Sequence, residues 1–194
     1  MEALTGRIGP PRIGVARERE PYEALVRAIA HQQVHGRAAE AILGRFVALV
    51  DGGFPGPAEV LAMTPEAMRA VGFSGAKVAA IRDIALHAYE GKVPTRRQAA
   101  RLPDETLIER LVAVRGVGRW TVEMLLIFTL GRKDVLPIDD FGVREGFRLL
   151  HGLETQPKRR ALAEIGQVWA PYRSTAAWYL WRAADEKKTT KRPS

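Results

Sequence analysis

Residues Leu111 to Arg144 read LVAVRGVGRWTVEMLLIFTLGRKDVLPIDDFGVR. Leu107, Ile108, Leu111 and Val112 are the apolar face of a helix opened by Asp104, and a strongly apolar helix follows from about Arg119 to Leu130. Gly116-Val117-Gly118 joins the two, a link short enough to demand a tight helical hairpin. Glycine there permits positive φ and lets another molecule's backbone approach closely. The amides that open the second helix point outward, and the helix dipole favours an anion beside them. The hairpin therefore reads either as a phosphate grip, with Arg119 alongside, or as an ordinary turn between helices, where glycine is common. Asp140 lies 22 residues beyond Gly118, paired with Asp139 ahead of another helical pattern. A lone aspartate at a helix start is normally a cap. Of two adjacent acids only one is needed for that, which leaves a carboxylate for chemistry near the hairpin.

Working outward, the same helical period persists. Tyr22, Leu25, Val26 and Ile29 form one apolar stripe from Pro21, and Ala38, Ile42, Phe46 and Val50 a second, ended by the breaker cluster Asp51 to Pro57. Thr64-Pro65-Glu66 is a helix start, with a hydroxyl cap, proline at the first position and an acid in the first turn. Gly72 stops that helix, and Ser74 caps the next, which runs to about Tyr89 before Gly91. After the loop Gly131 to Pro137, Asp140 caps a helix reaching Leu150, Gly152 ends it, and two more helices follow from about Pro157 and about Tyr172. No sustained period-2 alternation and no repeat stands out. The expected class is all-α, with about nine or ten short helices. Residues 1–20 read as an extended lead-in, 21–186 as the helical domain with its hairpin at about 105–130, and 187–194 as a frayed basic tail.

The chain has 194 residues, 30 Lys+Arg against 22 Asp+Glu, and a net charge of +8. A content of 46% hydrophobic residues is too apolar for disorder, and 27% charged is that of a soluble protein. Cysteine is absent, which excludes disulfides, thiolate zinc sites, cysteine-ligated iron–sulfur clusters and a cysteine nucleophile. No run approaches a membrane span, and the start does not read as a signal peptide, so a cytoplasmic protein is expected, nucleoid-associated if bacterial. The positive excess favours a polyanion, nucleic acid first and an anionic membrane surface second, against the alternative of a merely basic protein.

The hairpin and the downstream acids together resemble the helix-hairpin-helix–Gly/Pro–Asp superfamily of DNA glycosylases. The patterns LxxVxGVGxWT and LGRxDVxPxDDxGVR are most similar to its alkylpurine branch, DNA-3-methyladenine glycosylase II, over about Pro21 to Ala184. The resemblance implies two helical lobes flanking a DNA-binding cleft, with the lesion flipped out of the duplex because the scissile bond is inaccessible inside the stack. It implies Asp140 as the catalytic carboxylate, with Asp139 as fallback, stabilising oxocarbenium-like charge on the deoxyribose. In bifunctional relatives a Schiff-base lysine sits two residues after the last hairpin glycine. Here that position is Trp120, which implies a monofunctional enzyme without lyase activity. Trp120, Met124 and Trp181 are the implied base pocket, with Met124 standing where tyrosine is frequent, and tryptophan on a helix being also a common core residue. Gly116, Val117, Gly118, Arg119, Thr121 and Lys77 are the implied DNA contacts. Gln33, with Gln32 beside it, is the implied wedge that fills the gap left by the flipped base.

The longer members carry an N-terminal β lobe. Only twenty residues precede Pro21, so the resemblance implies that this lobe is missing and the iron–sulfur cluster of other branches absent. The implied partner is duplex DNA with alkylated bases, bound by a monomer and without a membrane. No cofactor is required and no metal expected, beyond a structural Na+ or K+ at hairpin carbonyls near Gly116 and Gly118. His31 and His35 are spaced as two ligands on one helix face, but Gln32 stands where the zinc motif needs glutamate. Gly72 to Lys77 resembles the family's second DNA-facing loop. A non-catalytic hairpin module that recognises damaged or distorted DNA is the competing class, and an enzyme for oxidised or deaminated purines a third reading.

Overall fold

A computed structural model describes residues 6–190. The described residues contain helices and no strand. In chain order, after a helical turn at residues 6–8, these are α1 (Pro21–His31), α2 (Gly36–Val47), α3 (Pro57–Ala62), α4 (Pro65–Ala70), α5 (Gly75–Tyr89), α6 (Arg96–Ala99), α7 (Asp104–Leu111), α8 (Arg119–Phe128), α9 (Phe141–Leu150), α10 (Arg159–Ile165) and α11 (Arg173–Thr190), with a 3-10 turn at Gly166–Trp169. None of the described helices is long and apolar enough to cross a membrane. They divide into two compact units, one of Ala16–Leu125 and one that joins residues up to Val15 with those from Leu126 onward.

In the Ala16–Leu125 unit, α5 is the central element. It contacts α1, α3 and α4, and buries Val78, Ala80, Ile81, Ile84 and Ala85 along a broad face. The expected starts hold: Thr64 accepts the Ala67 N–H and Ser74 the Lys77 N–H. The face of α2 differs from the expected one. It buries Ala39, Leu43 and Phe46, while Ala38 is exposed and Val50 lies beyond the helix. Residues four apart drift by about 40° per step around a helix, so the row 38–42–46–50 winds off the core, and the row 39–43–46 stays on it. Two short helices lie where none was expected. α3 starts at the proline that closes the breaker cluster, with the Gly56 N–H donating to Glu59 Oε2 (2.7 Å). α6 has a reciprocal cap between Thr95 and Gln98, and Arg96 donates to the carbonyls of Ala16 and Arg19.

The second unit is built on α9 against α11. Val143, Phe147, Leu162, Ala177 and Leu180 form its buried cluster. The lead-in is not wholly extended: residues 6–8 are helical, Ile8 packs near Tyr179, and Tyr179 donates to the Gly9 carbonyl (2.8 Å). Asp134 receives two side-chain bonds from Arg173, at 2.7 and 2.8 Å, which hold its carboxyl below the usual aspartate range and tie the 131–137 loop to the start of α11. α11 runs to Thr190, so residues 187–190 of the expected tail are helical, and 191–194 lie outside the described residues. Ala183, Ala184, Glu186, Lys187 and Lys188 are strong helix formers and favour the extension.

α9 and α11 meet most closely at Gly146, where a Cβ would overlap the backbone of Leu180. Gly146→Ala is expected to destabilise the protein by about 2–3 kcal/mol, the cost of overpacking where backbone cannot yield. Thermal and urea unfolding of the variant measure it.

Candidate active site and nucleic-acid interface

The hairpin is longer than its glycines suggest. α7 ends at Leu111, and residues 112–118 form the link, with N–H bonds from Val114 to Leu111 and from Val117 to Val114, each 3.1 Å. Val112, expected on the apolar face, is exposed, and α8 stops at Phe128 rather than Leu130. The two glycines have different reasons. Gly116 has φ +78°, and a Cβ there would press on Ala80 and Ile29 at 3.1 and 3.3 Å. Gly118 has neither constraint: its φ is not positive, and nothing lies within 4 Å of where a Cβ would be. Its lack of a side chain serves no internal contact and leaves the hairpin surface open to another molecule.

The side chains expected to touch DNA are arranged differently. Val117 and Thr121 are buried, so their side chains do not face a bound duplex. The Arg119 guanidinium is engaged by two carboxylates, with bonds of 2.5 and 3.1 Å to Glu105 and 3.1 Å to buried Glu123. The bonds from Arg119 hold the Glu105 carboxyl below the usual range. Arg119 thus fastens α7 to α8 and neutralises acids, which a protein-facing arginine does. Lys77 donates to the Ala30 carbonyl at the end of α1 (2.7 Å), and desolvation lowers its pKa. The hairpin cation that reasoning from sequence missed is Arg115. Its backbone N–H donates to Asp83 (2.7 Å), and its exposed side chain borders a hollow of ≈ 330 Å³ with Gln32, Gln33, Ser74, Lys77 and Gly116. Three separate stretches of sequence, QQ, the Ser74 helix start and the hairpin, converge there.

The two glutamines divide. Gln32 Nε2 donates to the Gly116 carbonyl (3.1 Å), whereas Gln33 is exposed and sits at φ 55°, a left-handed conformation unusual for a residue with a side chain. The Gly118 carbonyl accepts from Val122 N–H. Each of the two carbonyls named for a monovalent cation accepts one N–H bond here, and a carbonyl oxygen has a second lone pair. His31 Nε2 meets Glu40 (2.8 Å) and His35 caps α2 through the Arg37 N–H. No group of three or more metal-ligating side chains occurs among the described residues. On α8, Trp120 is 45% exposed and Met124 half-buried, while Thr121, Val122, Glu123 and Leu125 are buried, so the two pocket candidates lie on the open side of that helix.

In the other unit the two acids separate sharply. Asp139 forms an ion pair with Arg159. Asp140 caps α9 by accepting the Val143 N–H (2.8 Å), and the same oxygen, Oδ1, accepts Trp181 Nε1–H (2.7 Å). Capping and candidate chemistry thus reside in one residue, not in the two that the doublet suggested. Trp181 is itself stacked on Phe128, with centroids 5.6 Å apart at 30°. Its indole is braced on one side by a ring and at its edge by the carboxylate.

Residues 26–171 match the HhH-GPD superfamily of base excision DNA repair proteins, and the chain belongs to this family. It is 46% identical over 189 residues, 97% of this chain and 82% of the relative, to DNA-3-methyladenine glycosylase 1 of Schizosaccharomyces pombe. The structure of a 3-methyladenine DNA glycosylase from that organism, in complex with abasic DNA, superimposes with a TM-score of 0.84 at 45% identity, covering 93% of this chain and 89% of that one. A DNA-3-methyladenine glycosidase from Bacillus halodurans gives 0.88 at 33% identity, covering 97% and 85%.

The two arginines of the hairpin should separate in experiment. Arg115→Ala is expected to leave the melting temperature unchanged and to reduce the log–log salt slope of duplex binding by about 0.9, the loss of one phosphate contact. Arg119→Ala is expected to keep that slope and to cost about 1–3 kcal/mol of stability. The cost lies below that of breaking a fully buried pair, because Arg119 is half-exposed.

Proposed function

We propose that the protein is a monofunctional DNA glycosylase that hydrolyses the N-glycosidic bond of alkylated bases, of the 3-methyladenine and 7-methylguanine type, in duplex DNA. The observation that carries this reading is the Asp140 carboxylate, held at the start of α9 by the Val143 N–H and the Trp181 indole. A module that only grips phosphate has no use for such a group. The 46% identical relative, named as a 3-methyladenine glycosylase, supports the same substrate class.

A base alkylated at N3 or N7 is cationic and leaves as a neutral purine once the bond to C1′ breaks. The electron pair of that bond goes to the base, and positive charge develops on the deoxyribose. A carboxylate oriented in advance stabilises that charge without reorganising during the reaction. Water then adds to C1′ and loses a proton, giving the abasic sugar. Trp120, Met124 and Trp181 are the proposed base contacts, the indoles attracting a cationic ring by stacking and cation–π interaction. Gln33 is the proposed wedge, since Gln32 is engaged with Gly116. Backbone amides of the hairpin and Arg115 grip phosphate, and Asp139, paired with Arg159, has no direct role. Trp120 stands where a lyase would carry its lysine, and an indole cannot form an imine.

Asp140→Asn is expected to lower base release from a duplex carrying 7-methylguanine by at least about 100-fold, with duplex affinity retained. Release at the wild-type rate would overturn the assignment of Asp140 as the catalytic carboxylate, and no release by the wild type would return the protein to the class of non-catalytic DNA-binding modules. Separately, borohydride added during turnover is expected to trap no covalent protein–DNA complex, and the abasic product should break only on alkali treatment. A trapped adduct would assign lyase chemistry.

A further inference from the structure

Gly142, the second residue of α9, is out of place by local criteria. Glycine destabilises a helix relative to alanine, and Gly142 has no positive φ that would call for it. The three atoms nearest to a Cβ built there all belong to the pair described above. Trp181 Cδ1 would lie at 2.8 Å, Asp140 Oδ1 at 3.1 Å and Trp181 Nε1 at 3.3 Å. Retreat of the indole is opposed by Phe128, on which it is stacked. Gly146, one turn further on, faces the backbone of Leu180 instead. The two glycines therefore share the face of α9 toward α11 but answer to different neighbours. Gly146 lets the helices approach, and Gly142 leaves a slot for the indole edge.

We propose that Gly142 is a positioning residue for Asp140: its missing side chain is the slot that lets the Trp181 N–H reach Oδ1 and set the carboxylate's orientation. The inference rests on the reading of Asp140 as the carboxylate that acts on the sugar. With a methyl group in the slot, the indole shifts, its N–H leaves Oδ1, and the carboxylate loses a bond that orients it. A displacement of that size reaches the chemistry because reacting groups tolerate little misplacement.

The test is a double-mutant cycle on the full chain with Gly142→Ala, Trp181→Phe and the double variant, using single-turnover release from a duplex carrying 7-methylguanine. Gly142→Ala is expected to slow release on the order of 10- to 100-fold, with unchanged affinity for a duplex carrying a tetrahydrofuran abasic site. The double variant should be no slower than Trp181→Phe alone, because the phenyl ring has no N–H to displace. Wild-type release by Gly142→Ala, or losses that multiply in the double variant, overturn the proposal. So does a lowered melting temperature with an unchanged rate per folded molecule, the signature of a purely structural glycine. The indole N–H signal of Trp181 in a ¹⁵N–¹H spectrum, assigned by its loss in Trp181→Phe, provides a readout independent of activity. Should the wild type release no base, the glycosylase reading fails, and the slot is judged by that signal: a shift in Gly142→Ala upholds it, and an unmoved signal overturns it.

Discussion

The approach of α9 to α11 at Gly146 and Leu180 governs much of the second unit. Two helices come this close only where one of them carries no side chain, and the residue that follows Leu180 is Trp181. Backbone contact at one position therefore sets the height and depth of the indole at the next. The indole in turn reaches back to Asp140, the residue that begins the same helix. A cap that in most helices only satisfies backbone amides is here shared between a main-chain N–H and a side-chain donor from another helix. One carboxylate oxygen holds both bonds, so the plane of the group is determined by packing rather than by rotamer preference alone.

Charge in the other unit follows a different logic. A net charge of +8 describes the chain but does not say which cations face outward. Arg119 stands at the start of α8, where a phosphate grip would need it, yet Glu105 and Glu123 take up its donors. Its work is to brace the hairpin and compensate a buried acid. Lys77 is likewise partly committed, to the end of α1. The exposed cation, Arg115, lies in the turn itself. Position in a motif and availability of charge are thus separate properties, and only the second matters to a polyanion.

Most of the helix boundaries were readable because they rest on local rules. Thr64, Ser74 and Asp140 cap their helices as their residue types and following residues require, and the apolar spacing of α1, and of α7 as far as Leu111, matches their buried faces. α3 and α6 were also announced locally, by a proline with an acid two residues on and by a Thr-x-x-Gln cap, but they are too short for periodicity to register. The apolar row of α2 in the sequence winds off its buried face, because a row of residues four apart looks apolar without staying on one side. The hairpin link is longer than the pattern suggests, since Val112, Ala113 and Val114 are apolar and continue a helical pattern past the point where the helix stops.

Local pattern suffices for the all-α class, the hairpin with its glycines, and the aspartate that opens α9. Each follows from backbone conformation and from residues within one turn of one another. Packing between distant segments settles which acid of the pair meets Trp181 and which meets Arg159, which hairpin arginine is spent on carboxylates, and which glutamine is tied to Gly116. It also gave the glycines their separate meanings: Gly116 is required by its neighbours, Gly118 by none of them, Gly142 by an indole and Gly146 by a backbone. Hydrogen bonds and close contacts across 41 residues, as between Asp140 and Trp181, depend on where whole helices come to rest. That is set by how side-chain volumes from distant segments fill a common core, and no local pattern encodes it.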